Sequence, residues 1–208
     1  MRRRFRRRPP THFESSLQIR FPTVLTSNDN LGGRLRIQIL PLDPSLHDRK
    51  SFHCGNETVD RYLRTTAAQA TRYYRAATFV LATVDNPSKV LGYYTLAPHE
   101  YRDGELDLAT ARALRVHGLQ RIPVLLLGQL GIARAYQGRG LGKLLLWSAL
   151  ERAFSTAANS GAVAVITDPA DDRAAAFYAR YGFATLHEAP FHRMLLPTKT
   201  IAAALSRG

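Results

Sequence analysis

The sequence is short of the residues that cross-link or anchor a chain. One cysteine, Cys54, stands among 208 residues, which excludes an internal disulfide and a cysteine zinc cluster. No apolar run approaches the ~18 residues that a membrane-crossing helix needs. The opening MRRRFRRRPP leads into no apolar segment, so a secretory signal is not expected and a reducing cytosol is. The seven histidines never fall into a metal spacing such as H-E-x-x-H, and no metal is expected. Acidic side chains are scarce as well: 16 Asp and Glu face 29 Lys and Arg, a net charge of +13. That surplus favours polyanionic partners (nucleic acid, phosphorylated cofactors or an acidic protein) without choosing among them.

What is present divides in two. Residues 1–34 are Arg-rich, then rich in Pro, Ser and Asn, and end in NDNLGGR; they hold 8 Lys/Arg against 2 Asp/Glu. This extension is expected to be disordered. It is a nucleic-acid arm, a short sorting signal or a leader without a role. Residues 35–208 are patterned and still basic. LRIQILPL alternates like a half-buried strand. CGNETVDRYLRTTAAQATRYYRA reads as a helix capped by Asn56, with Val59, Leu63, Ala67 and Ala70 on one face. ATFVLATV and KVLGYYTLAP are strands joined by the turn DNPSK. LDLATARALRVHG is a short helix. PVLLLGQLGIA is an apolar strand buried on both faces. A long helix from Leu141, the strand AVAVITD, the helix PADDRAAAFYARYG, the strand HRMLLPT and a helical stub complete an α/β domain with a mixed sheet.

One stretch resists propensity. ARAYQGRGLGKLLLWSAL places Gly138, Gly140 and Gly142 where a long helix begins, although each glycine costs a helix roughly 1 kcal/mol relative to alanine. A glycine turn at a helix start leaves backbone N–H groups free, lets a ligand approach them closely and adds the positive end of the helix dipole. Gln137, Gly138, Arg139, Gly140, Leu141, Gly142 and Lys143 therefore form a candidate phosphate site. It is not a P-loop, because Leu144 follows Gly142-Lys143 and Gln137 stands where the first glycine belongs. It is not the dinucleotide fingerprint either, for the third glycine is missing.

The remaining pattern, Gln137-x-x-Gly140-x-Gly142 between a strand and a long helix, resembles the acetyl-CoA signature of the GNAT N-acetyltransferases. AAAFYARYGF, from Ala174 to Phe183, resembles the same family's later helix-to-strand segment. FHCGNETVDRYLRTTAAQ, VLGYYTLAP and IPVLLLGQLGIARAYQGRGLGKLLLWSAL are similar to GNAT toxins of type II toxin–antitoxin modules. That likeness runs in register over about residues 35–205 and includes Phe52, Cys54, Gly55, Asp60, Leu63, Gly92, Tyr93 and Tyr94. The departures are Gln129 and Gln137, where Arg is frequent, and ITDPADD, where VDAKD-like text is usual.

The resemblance implies a mostly antiparallel mixed sheet whose central parallel strands splay around acetyl-CoA. It implies pyrophosphate held by the 137–143 amides, a backbone donor near Leu130 to Ile132 for the developing oxyanion, and Tyr178 as general acid toward the leaving sulfur. Its substrate would be the α-amine of aminoacyl-tRNA, so that translation stops. A ribbon-helix-helix antitoxin and a homodimer are implied too. Cys54, beside Gly55 before a helix, is expected to be structural. Arg61, Arg64, Arg72 and Arg75 recur along the first helix at spacings that put them on roughly one side; Arg72 and Arg75 are the candidate tRNA contacts. Two other functions stay open: a GNAT enzyme acting on a protein amine or small amine, and a basic nucleic-acid-binding protein without catalysis.

Overall fold

A computed structural model describes residues 26–28, 34–102, 104–186 and 193–206. Eight strands form one sheet: β1 Thr26–Asn28, β2 Arg34–Pro41, β3 Ala77–Thr83, β4 Gly92–Arg102, β5 Arg121–Ile132, β6 Ala164–Thr167, β7 Ala184–Thr185 and β8 Met194–Pro197. Their order is β1-β2-β3-β4-β5-β6-β8-β7. Only β5 and β6 run parallel; the other neighbours are antiparallel. The helices are α1 Glu57–Arg61, α2 Ala67–Arg72, α3 Leu108–Ala113, α4 Leu141–Ser160, α5 Asp172–Ala179 and α6 Thr198–Leu205. The mixed, mostly antiparallel α/β architecture expected from the sequence is the one observed.

Three local features were not legible in the pattern. Thr26–Asn28, inside the extension expected to be disordered, pairs with Arg34–Arg36 as an edge strand. Edge pairing uses backbone groups alone, so a polar Thr-Ser-Asn carries no alternation to betray it. The rest of that extension lies outside the described residues. The first helix is broken by a π-helical turn, Tyr62–Thr66, between α1 and α2. The wider turn shifts the phase of everything after it, and Arg75 falls beyond the helix end, so Arg61 and Arg64 do not continue into Arg72 and Arg75 as one regular stripe. Arg64 is engaged with Glu57 at 2.6 Å. The third feature is a bulge: Thr95 faces Gln129 but Leu96 faces Leu127, leaving Gly128 without an opposite residue.

Helices cover both faces of the sheet because the central strands bury both. On one face, Leu145, Leu146 and Leu150 of α4 pack against Tyr94, Leu96, Leu125 and Leu127. Each such fully buried side chain contributes about 1.5–3 kcal/mol. On the opposite face, Leu63 and Ala67 pack on Val80 and Tyr93, while Leu106, Ala111 and Val116 around α3 pack on Ile122, Val124 and Ile166. Asn56 caps α1 as expected, accepting from the Thr58 amide at 3.0 Å and the Val59 amide at 3.2 Å. Gly131 explains how closely α1 sits on β5: a Cβ there would lie 2.8 Å from Val59.

Candidate active site

The site is assembled where β5 outlasts its parallel neighbour. β6 pairs with β5 only at Leu125 and Leu126, yet β5 continues to Ile132. Beyond Leu126 the two strands part, and the Thr167 hydroxyl spans the fork by donating to the Leu127 carbonyl at 3.0 Å. Which backbone groups line the open edge follows from the other partner. The Ala133 amide donates to Leu91 at 2.8 Å, and Gly131 pairs with Tyr93. Direction alternates along a strand, so the amides of Leu130 and Ile132 point away from β4, toward the gap. The two β5 residues singled out in the sequence thus present a row of groups suited to an extended amide-bearing ligand.

The glycine turn closes the end of that gap. Gly138 has φ +76° and Gly140 φ +79°, left-handed values that side chains oppose, and a Cβ at either would meet nothing within 4 Å. Gly140 is the N-cap of α4, and no side chain caps it. The first intrahelical bond runs from Leu144 to Gly140 at 3.3 Å, so the amides of Leu141, Gly142 and Lys143 have no partner within the helix. Leu141 is buried and anchors the turn, whereas Gly138, Gly140 and Lys143 are exposed. A concave row of amides at the positive end of a 20-residue helix fits a diphosphate. Arg139 and Lys89 flank Tyr136, at 5.4 and 5.3 Å from its ring centre, and add positive charge beside the turn.

Gln137 has a different part. Its side-chain amide donates to the Cys54 carbonyl at 2.7 Å and the Ile132 carbonyl at 2.9 Å. It ties the loop before α1 to the end of β5, and its side-chain donors are spent on scaffold. Gly142 lacks the strain of its neighbours: a Cβ there would rest 3.7 Å from Phe177, ordinary contact.

Tyr178 lies in α5, buried at 6 % exposure among Phe177 and Phe183. Burial pushes its phenol up to about 12, while a hydrogen bond with the Thr167 side chain pulls the other way. Thr167 therefore links Tyr178 directly to the fork between β5 and β6. Nothing in the local pattern of AVAVITD marked Thr167; only strand pairing reveals it. Asp168, the next residue, is held bidentate by Arg193 at 2.6 and 2.7 Å, and Arg193 also approaches His99 and Tyr101 at 3.4 Å. The carboxylate beside the fork is thus committed to a guanidinium.

Cys54 is a packed side chain. Burial, with the neighbouring Asp60, pushes its thiol up to about 12, far from the thiolate range a nucleophile needs. Asp60 is fully buried. Burial pushes its carboxyl up, but hydrogen bonds from Cys54 and His53 outweigh this and hold it below the usual range. The distances are 2.7 Å from the Cys54 amide and 2.7 Å from His53 Nδ1. Arg72, the last residue of α2, and Arg75, three residues on, are both exposed.

Comparison with known proteins agrees with this geometry. Residues 46–183 match the acetyltransferase (GNAT) family. A protein of Sinorhizobium fredii named Probable toxin TacT is 32% identical over 183 residues, covering 85% of this chain and 98% of its own. A tRNA-acetylating toxin of Mycobacterium tuberculosis is 33% identical over 150 residues, 72% of this chain and 86% of its own. AtaT complexed with acetyl-methionyl-tRNAfMet superposes with a TM-score of 0.72 at 25% identity, covering 81% of this chain and 99% of AtaT. AtaTR bound with acetyl-CoA gives 0.68 at 26% identity, over 81% and 98%. Among the described residues, no helix is long and apolar enough to cross a membrane. The forked sheet, the amide turn before α4 and the family match over most of its length lead to one conclusion: the chain belongs to the GNAT acetyltransferase family.

Proposed function

We propose that this chain transfers acetyl from acetyl-CoA to the α-amine of aminoacyl-tRNA, and that it is the toxin of a type II toxin–antitoxin module. The observation that carries this reading is the meeting of an uncapped glycine turn with the free edge of β5, in a chain 33% identical to a tRNA-acetylating toxin. Bound acetyl-CoA supplies an acetyl group already activated as a thioester. The amides of Leu141, Gly142 and Lys143 hold its diphosphate, with Gly138 and Gly140 giving the clearance. The Leu130 and Ile132 amides orient what lies along the open edge, and holding reactants in alignment can lower a barrier by roughly 7–11 kcal/mol.

Tyr178 donates a hydrogen bond to the departing sulfur. Burial holds its phenol above the range of a thiol, so full proton transfer to the sulfur is uphill. Its work is therefore stabilisation by a hydrogen bond more than delivery of a proton. Among the described residues the carboxylate beside the fork, Asp168, is tied to Arg193, so water takes the proton from the amine, whose basicity an aminoacyl ester lowers. A ribbon-helix-helix antitoxin covering the cleft, a homodimer and action in the cytosol complete the reading.

The test is direct. Purified protein is incubated with labelled acetyl-CoA and total charged tRNA, and the label is followed. Label on the α-amine of an aminoacyl-tRNA is the expected outcome. Label on proteins or small amines alone replaces the proposal with an ordinary GNAT reading.

A further inference from the structure

The turn that ends α2 is built against local preference. Its residues are Arg72, Tyr73, Tyr74 and Arg75, all exposed. The Tyr74 amide donates to Thr71 at 3.1 Å and the Arg75 amide to Ala70 at 2.9 Å. These two bonds are the helix-ending motif that places one residue in the left-handed region, usually glycine. Here it is Tyr74, at φ +56°, an outlier for so bulky a side chain. The ring gains nothing from the fold in return, for Tyr74 is 93% exposed and Tyr73 58%. The guanidinium carbons of Arg72 and Arg75 lie 5.9 and 5.8 Å from the Tyr73 ring centre. Among the described residues neither arginine forms an ion pair.

We infer that Tyr73 and Tyr74 are a stacking platform for unpaired RNA nucleotides, with Arg72 and Arg75 supplying phosphate contacts. Exposed aromatic rings interleaved with arginine hold single strands by base stacking and charge together. The net charge of +13 selects a polyanion over a neutral partner. Position supports the same occupant. Ala77, two residues past Arg75, pairs with Leu96, and Leu96 pairs with Leu127, the residue at the fork of the sheet. Two strand spacings, about 10 Å, separate that rung of β3 from the fork. The unpaired 3′ end of a tRNA, stacked here, has its terminus within reach of the cleft. This inference rests on the proposed tRNA substrate and names the surface that grips its end.

The experiment measures binding of deacylated tRNA with an intact unpaired 3′ end, and of the same tRNA trimmed to a blunt acceptor stem. The proteins are full-length wild type, Tyr73→Ala/Tyr74→Gly and Tyr73→Phe/Tyr74→Phe. Wild type is expected to prefer the intact tRNA. The Ala/Gly variant should bind it about 10-fold to 100-fold more weakly with an unchanged salt slope, and the Phe pair should restore binding. Glycine suits the left-handed site, so folding, checked by melting temperature, is retained. Equal affinity of wild type and the Ala/Gly variant for intact tRNA overturns the platform alone. A loss that is the same on trimmed tRNA, or one that accompanies dissociation of a dimer, also overturns it. Wild type that ignores both tRNAs overturns the substrate reading itself.

Discussion

Two turns at helix ends, Gly138–Lys143 before α4 and Arg72–Arg75 after α2, use the same backbone region for opposite purposes. In the first, Gly138 and Gly140 take left-handed values with open space around them. Side chains are removed so that amides can meet a ligand. In the second, Tyr74 takes a left-handed value while presenting a large ring to solvent. Glycine makes the unfolded chain more flexible, so ordering the first turn costs more entropy, whereas the second stores strain in the folded state. Neither the two glycines nor Tyr74 gains packing in return. Between them lies the fork of β5 and β6, with Tyr178 and Thr167 at its base.

The sharpest way to separate chemistry from the two turns is Tyr178→Phe. Its turnover should fall about 10²–10⁴-fold, while affinities for acetyl-CoA and tRNA stay at wild-type values in calorimetry and filter binding. Because burial pushes the phenol to about 12, the wild-type rate should show no fall from its deprotonation below pH 11. A rate unchanged in the Phe variant removes Tyr178 from the mechanism. Next in size is Gly140→Val, which brings a branched side chain to φ +79°. The Michaelis constant for acetyl-CoA should rise about 10-fold or more, with roughly 1–2 kcal/mol lost from stability in denaturant titration. Gly161→Val is the control: at φ +72°, at the opposite end of α4, it should cost similar stability and leave that Michaelis constant unchanged.

The charge on the second turn comes third. Reversal in Arg72→Glu/Arg75→Glu should weaken tRNA acetylation and lower the salt slope by about one to two units. Rates unchanged at every ionic strength would show that RNA passes elsewhere. The smallest effect is on stability: Tyr74→Gly should gain about 0.5–1 kcal/mol, seen as a melting temperature a few degrees higher. A loss of stability would mean that the ring packs in solution, and the contrast between the turns would fail.

Much of the site was legible because it is local. The glycines before Leu141, the Asn56 cap and the apolar stripe of α4 are written at spacings that a helix start and a helix face require. The fork was legible only as a resemblance, since where β6 stops against β5 depends on pairing between segments some forty residues apart. Gln137 illustrates the limit. Its place in the motif marked it as a ligand residue, yet its side chain reaches the Cys54 carbonyl, which lies far away in the chain. Thr167 illustrates the converse, an ordinary strand residue made important by what sits opposite. The tyrosines at 73 and 74 looked like part of a helix until the π-helical turn and the helix end set their phase.

By itself the sequence determined the order of the main elements, though not the short strands β1 and β7, together with the uncapped amide turn and the basic surplus, because turn chemistry, periodicity and charge act over a few residues or by simple addition. Tertiary structure alone decided the parting of β5 from β6, the contact of Thr167 with Tyr178, the commitment of Asp168 to Arg193 and the exposure of Tyr74. Each of those depends on which distant groups the sheet brings side by side, and no local pattern carries that information.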